Sequence, residues 1–115
     1  MKTIKVVELL GTASFMSYEK GSKLLEIVLE ELERNNVVEI DFTGYSYIST
    51  SFINNSFGEL ALRNGWDFKE FEKHIKLVAL DEDDTDDVKL AIINANNRSL
   101  LINNGINPES FYAHI

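Results

Sequence analysis

The chain has 115 residues, enough for one domain and too few for two, and its 44% apolar and 26% charged residues describe a globular chain with a core. The absence of cysteine excludes disulfides, thiolate metal centres, iron–sulfur ligation and a cysteine nucleophile. Nineteen acidic against eleven basic residues, a formal charge of −8, argue against nonspecific binding to nucleic acid or to anionic lipid, since both need a basic footprint. The opening MKTIKVV does not have the pattern of a signal peptide, and no apolar run approaches the roughly 18 residues of a membrane span, so a cytoplasmic chain is expected.

Residues 4–10 (IKVVELL), β-branched and aliphatic and bounded by Gly11, predict a first strand. A loop containing Phe15, Met16 and Tyr18 follows. Leu24, Leu25, Ile27, Val28, Leu29 and Leu32 then recur at helical spacing, with Glu26, Glu30, Glu33 and Arg34 on the other face. Ser22 is the expected N-cap and Asn35-Asn36 the expected stop. Residues 37–42 (VVEIDF) are the clearest strand, with an apolar content expected where both faces of a sheet are covered. A second helix is predicted over residues 51–64, with Phe52, Ile53, Phe57, Leu60 and Ala61 inward and Gly65 ending it.

Residues 66–73 predict a short amphipathic turn or helix, and residues 75–80 (IKLVAL) a third strand. The acidic stretch 81–87 is expected as a loop, with Thr85 or Asp86 capping a third helix over residues 88–97. Residues 100–102 suit a short strand, and Asn103-Asn104-Gly105 is a turn signal. The alternation of strands and helices implies a single α/β domain with a mostly parallel sheet of about four strands and crossover helices. Val38, Ile40, Phe42, Val78, Leu80, Leu25 and Val28 are its expected core. In such sheets function gathers in the loops after the carboxyl ends of the strands, here residues 11–18, 43–51 and 81–87.

No phosphate-binding glycine motif or nucleophile elbow occurs, and His74 and His114 stand apart from any second ligand at metal spacing. The acidic run fails the EF-hand pattern: Asp86 falls where the turn glycine belongs and Ile92 where the last glutamate belongs. No catalytic residue, metal or cofactor is therefore assigned. Residues 40–60, IDFTGYSYISTSFINNSFGEL, are the informative stretch: a buried strand, a loop, then Ser49-Thr50-Ser51 opening a helix. Hydroxyls there have two uses. They cap the unpaired N–H groups, contributing roughly 1 kcal/mol, or they carry a phosphate or hold an anion against the same groups.

This segment resembles the signature of STAS domains, the bacterial anti-sigma-factor antagonists and their relatives, in which a strand and loop precede Asp-Ser-Ser-Gly at a helix start. The wording ISTSFINNSFGEL is similar to short STAS-like bacterial domains of uncharacterised function. The resemblance spans residues 4–102 in element order and is specific over residues 37–60. It implies a noncatalytic regulatory module that binds a protein partner, a GHKL-type ATPase or kinase, with Thr50 or Ser51 as phosphoacceptor. Aligned this way, Ser49 stands for the family's acid and Phe52 for its glycine. Thr43, Gly44, Tyr45, Ser46, Tyr47 and Ser49 are the candidate partner- or anion-binding loop. A small-molecule or anion-binding domain using the same helix start is the first alternative. A homo-oligomer packed through Trp66, Phe68 and Phe71, or through Phe111 and Tyr112, is the second.

Overall fold

The structure, a computed structural model, describes residues 1–103 and 105. Three parallel strands form the main sheet: β1 (Lys2–Lys5), β3 (Val38–Asp41) and β5 (Ile75–Val78), with β3 in the centre. Lys2 pairs with Val38 and Val38 with Ile75, so Ile4, Ile40 and Leu77 lie side by side. A separate two-stranded parallel ribbon joins β2 (Ser14–Phe15) to β4 (Tyr47–Ile48). The helices are α1 (Val6–Leu10), α2 (Tyr18–Leu32), α3 (Thr50–Ile53), α4 (Glu59–Asn64), α5 (Phe68–His74) and α6 (Glu82–Asn103), with a π-helical turn (Asn54–Gly58) between α3 and α4. The expected α/β class with a parallel sheet and crossover helices is what forms. The main sheet has three strands instead of four, and the ribbon stands apart from it.

Val38, Ile40 and Phe42 are buried between the sheet and the helices. The other face carries a polar ladder: Thr3, Glu39 and Lys76 are in register, with Thr3 Oγ1 donating to Glu39 at 3.3 Å and Lys76 Nζ 3.8 Å from the same carboxylate. The centre of the sheet therefore alternates along β3, as in a sheet with one packed face. Of the expected core, Leu25 and Val28 are buried with these residues, whereas Val78 and Leu80 are only part-buried because β5 is an edge strand leading out to α6.

Several boundaries differ from the sequence expectation. The first strand stops at Lys5, paired with Asp41 at the end of β3, and residues 6–10 form α1. Val6 is buried and Gly11, at φ +68, closes the turn by donating to the Val7 carbonyl at 3.0 Å. With no strand left to pair, β propensity yields to local hydrogen bonding. Helix α2 is capped by Ser17 and not Ser22, the Ser17 hydroxyl accepting the Lys20 N–H at 3.2 Å.

The acidic stretch is the start of α6 and not a loop. The Asp81 carbonyl accepts the Thr85 N–H at 2.8 Å, so neither Thr85 nor Asp86 is the cap. Glu82, Asp83 and Asp84 then lie at the positive end of the helix dipole. Residues 100–102 continue α6 and are not a strand, and Gly105, at φ +75, donates to the Ile102 carbonyl at 3.0 Å. Phe71 of α5 is buried, with Trp66 and Phe68 part-buried against the core. Phe111, Tyr112 and His114 lie outside the described residues.

Candidate functional site

Residues 41–49, from the end of β3 onward, meet residues 13–16 on one side and the start of α6 on the other, in one rim at the carboxyl end of the sheet. It begins at Asp41, where Thr43 donates both its hydroxyl, at 2.6 Å, and its backbone N–H, at 2.9 Å, to Asp41 Oδ1. The hydroxyl bond, then the N–H bond, hold the Asp41 carboxyl below its usual range against a smaller opposing effect of burial. The Tyr45 N–H reaches the Phe42 carbonyl at 3.0 Å, closing a four-residue turn whose third residue, Gly44, has φ +88. That conformation is open to glycine and strained for a side chain with a Cβ.

Tyr45 ties the loop to α6. Its ring meets Phe42 edge-on at 5.8 Å, its hydroxyl donates to Asp84 Oδ2 at 2.6 Å, and it accepts the Asp81 N–H at 3.0 Å. Ala79, in the left-handed region at φ +61, turns the chain from β5 into this contact. Burial, then the hydrogen bond to Asp84, push the Tyr45 phenol from its ordinary 10.0 up to about 12. Because the folded state holds this proton more tightly than the unfolded chain, its stabilising effect is complete below pH 10 and is lost as pH rises to about 12. Thermal melts across that interval are expected to show a falling melting temperature, and Tyr45→Phe to flatten the fall. An identical alkaline profile in Tyr45→Phe would refute this contact.

On the other side the loop is stitched to residues 13–16. The Ser46 N–H donates to the Ala13 carbonyl at 2.8 Å, its hydroxyl donates to the same oxygen at 3.2 Å, and the Ser49 N–H donates to the Phe15 carbonyl at 2.8 Å. Ser14 pairs with Tyr47 and Phe15 with Ile48 in the ribbon. Phe15 and Ile48 point into the core, which leaves Met16 and Tyr47 more than half exposed; Tyr18, in the first turn of α2, is exposed as well. Met16 and Tyr18 were not among the site residues expected from the sequence. Their signal was three large apolar residues in a loop.

The hydroxyl cluster divides its work. Ser49 is the N-cap: its Oγ accepts the Phe52 N–H at 3.1 Å and donates to the Met16 carbonyl at 3.2 Å. Thr50 and Ser51 are exposed, and among the described residues neither hydroxyl has a hydrogen-bond partner. Behind them Ser56, buried in the π-helical turn, donates to the Phe52 carbonyl at 2.7 Å. Among the described residues no three His, Cys, Asp or Glu gather as a metal-binding group, and no helix is long and apolar enough to cross a membrane.

A small parallel sheet with crossover helices, and a hydroxyl-bearing helix start at its carboxyl edge, is the architecture of a STAS-like domain. The family model described as a STAS-like domain of unknown function (DUF4325) matches residues 20–85, more than half of the chain, and the chain belongs to that family. The match takes in α2, β3, the rim loop, the hydroxyl cluster and the start of α6. No curated protein and no solved structure gives a match.

Proposed function

We propose that this chain is a regulatory protein-interaction module that acts by binding, with a GHKL-type ATPase or kinase as partner and the rim as the docking surface. Thr50 is the phosphoacceptor, with Ser51 the second candidate. The observation that carries the reading is the division within the cluster. Ser49 commits its hydroxyl to the cap and to the Met16 carbonyl, while Thr50 and Ser51 are exposed with unpartnered hydroxyls among the described residues, and Met16 and Tyr47 are exposed as well. The exposed methionine and tyrosines suit an apolar contact with another protein. A phosphate there adds about −1.5 to −2 charges to a chain already at −8, a change large enough to weaken that contact.

The cap and the switch are separable by mutation. Ser49→Ala is expected to lower stability by about 1 kcal/mol, as loss of an N-cap does. Thr50→Ala is expected to leave both stability and partner affinity nearly unchanged, whereas Thr50→Glu weakens affinity about tenfold, near 1.4 kcal/mol. The deciding experiment incubates the full chain with GHKL-type ATPases of the same genome and ATP, then reads intact mass and affinity. A phosphate adduct lost in Thr50→Ala supports the reading. No adduct, together with equal binding by Thr50→Glu, overturns the switch.

A further inference from the structure

The turn that opens the rim gathers a hydroxyl, a carboxylate and an ammonium. Thr43 is exposed, and its Oγ1 donates to Asp41 Oδ1 at 2.6 Å. That bond engages the hydroxyl proton and leaves the lone pairs of the oxygen open, the arrangement of a nucleophile beside its proton acceptor. The Asp41 carboxyl, held below its usual range by the Thr43 hydroxyl bond and then by the Thr43 N–H bond, is ionised at neutral pH. Lys5 is the cross-strand partner of Asp41, so the two side chains share the polar face of the sheet. Among the described residues the Lys5 ammonium makes no ion pair. A cleft of about 270 Å³ lies against these three residues and is lined besides by Val7 and Glu8. It is several times the roughly 30 Å³ share of a water molecule, which leaves room for a phosphoryl group. Thr50 and Ser51 have no carboxylate bonded to their hydroxyls among the described residues.

We infer that Thr43 is a phosphoacceptor of the rim, with Asp41 taking its proton and Lys5 steadying the incoming phosphate. The phosphoryl donor is the ATP of the kinase partner proposed above, so this site rests on that reading and adds a second acceptor to its rim. A lone pair of Thr43 Oγ1 attacks the γ-phosphorus of the ATP. The Oγ1–P bond forms as the bond from that phosphorus to the bridging oxygen breaks, and ADP leaves. The hydroxyl proton passes to Asp41 Oδ1 and then to water. The Lys5 charge acts on the phosphoryl oxygens during transfer, where a fixed cation counts most. The product undoes the turn. Phosphothreonine has no hydroxyl proton to give Asp41, and its charge of about −1.5 to −2 stands beside Asp41 and Glu8. Of the residues lining the cleft only Lys5 is positive. Repulsion drives residue 43 outward and loosens residues 42–45, where Tyr45 ties the rim to α6. Phosphate on Thr43 therefore changes the shape of the docking surface, whereas on Thr50 it adds charge to a hydroxyl that holds nothing in place.

The test incubates the full chain and its Thr50→Ala/Ser51→Ala variant with ATP and either purified GHKL-type ATPases or a clarified extract of the source cells. Tandem mass spectrometry then locates the phosphate. It is expected on Thr43 in both chains and is lost in Thr43→Val. Asp41→Asn slows the transfer about a hundredfold and Lys5→Ala about tenfold, while Thr43→Ser retains it. Lys5 is exposed, so Lys5→Ala keeps the circular dichroism and melting of the parent and carries the test if Asp41→Asn does not fold. The chain phosphorylated on Thr43 melts below the parent. Phosphate on Thr43 from the extract alone supports the site and assigns it to a different kinase. Phosphate confined to Thr50 or Ser51 overturns the site and leaves the proposed switch standing. Transfer to Thr43 at the parent's rate in both Asp41→Asn and Lys5→Ala overturns the roles of those two residues, and no phosphate from either source overturns site and switch together.

Discussion

Replacing Phe42 by alanine is expected to destabilise the fold by about 3–5 kcal/mol. Phe42 is fully buried where β3 ends, and its N–H donates to the Val78 carbonyl at 2.9 Å, so the backbone beneath the ring is fixed to the neighbouring strand. Three other rings surround it: Tyr45 at 5.8 Å, Phe15 at 6.1 Å and Phe57 at 6.1 Å. Phe15 stacks on Phe52 at 5.2 Å, and Phe57 meets Phe71 edge-on at 5.9 Å. The ring therefore joins the ribbon, the rim loop, the helix behind the hydroxyl cluster and α5. Neighbours held by the sheet, the ribbon and the π-helical turn cannot collapse into the space, so both the transfer and the cavity contributions apply. Urea denaturation gives the value, and a loss below about 1 kcal/mol would show that the rings do not form a continuous core. Removal of Phe42 also takes away the surface on which Tyr45 rests, so the alkaline loss of stability should weaken in the same variant.

The alternation of elements was legible because it depends on local spacing. Leu24, Leu25 and Val28 are buried on α2, and Val38, Ile40 and Phe42 are buried along β3 and just beyond it, as helical and strand periods require. The differences arise where a tertiary partner overrides the local preference. Val6 and Val7 favour a strand, yet β1 has already run out of partner at Asp41. Asp81 to Asp87 resemble a solvated loop, yet carboxylates suit the first turn of a helix, and Val88, Ala91, Ile92 and Ala95 anchor that helix to the body. The exposed Leu90, Ile93 and Leu100 blur the period of α6, since a helix apolar on both sides has no single face for spacing to reveal.

The site was legible in part for a related reason. A strand, a short loop and three hydroxyls marked residues 43–51, and the structure puts all of them on one rim. Which hydroxyl caps depends on where helical geometry begins, and Ser49 takes that role because its backbone is still extended, at φ −91 and ψ 157. Residues 81–87 were expected at the same edge, but the bonds that Asp81 and Asp84 make with Tyr45 were not legible. They lie 36 and 39 residues from Tyr45, and only the packing of α6 beside the rim brings them to its hydroxyl. Met16 is a similar case: its exposure follows from Phe15 turning inward against Phe42 and Phe52.

Gly21→Ala is expected to destabilise by about 2 kcal/mol, within the range of overpacked interiors. Helix propensity alone argues the other way, since alanine is favoured over glycine inside a helix by about 1 kcal/mol. The deciding quantity is distance. A Cβ at Gly21 would lie 2.7 Å from the Phe52 carbonyl oxygen and 3.3 Å from both Phe52 Cα and Asn55 Cβ. That oxygen cannot retreat easily. It accepts the buried Ser56 hydroxyl at 2.7 Å, and the Phe52 ring is held against Phe15. Gly58, in the same π-helical turn, is the internal control. There an added Cβ meets Ala91 at 3.7 Å and 3.8 Å, ordinary contact, in a helical conformation at φ −62 and ψ −48, so Gly58→Ala should be tolerated. Equal stability of the two variants in urea would refute the close approach of α2 to α3. That approach also matters at the rim. Gly21 lies one turn from Ser17 and Tyr18, and Phe52 lies two residues from Thr50. A forced separation at Gly21 should therefore loosen the start of α2 from the start of α3, where the Ser49 hydroxyl donates to the Met16 carbonyl at 3.2 Å.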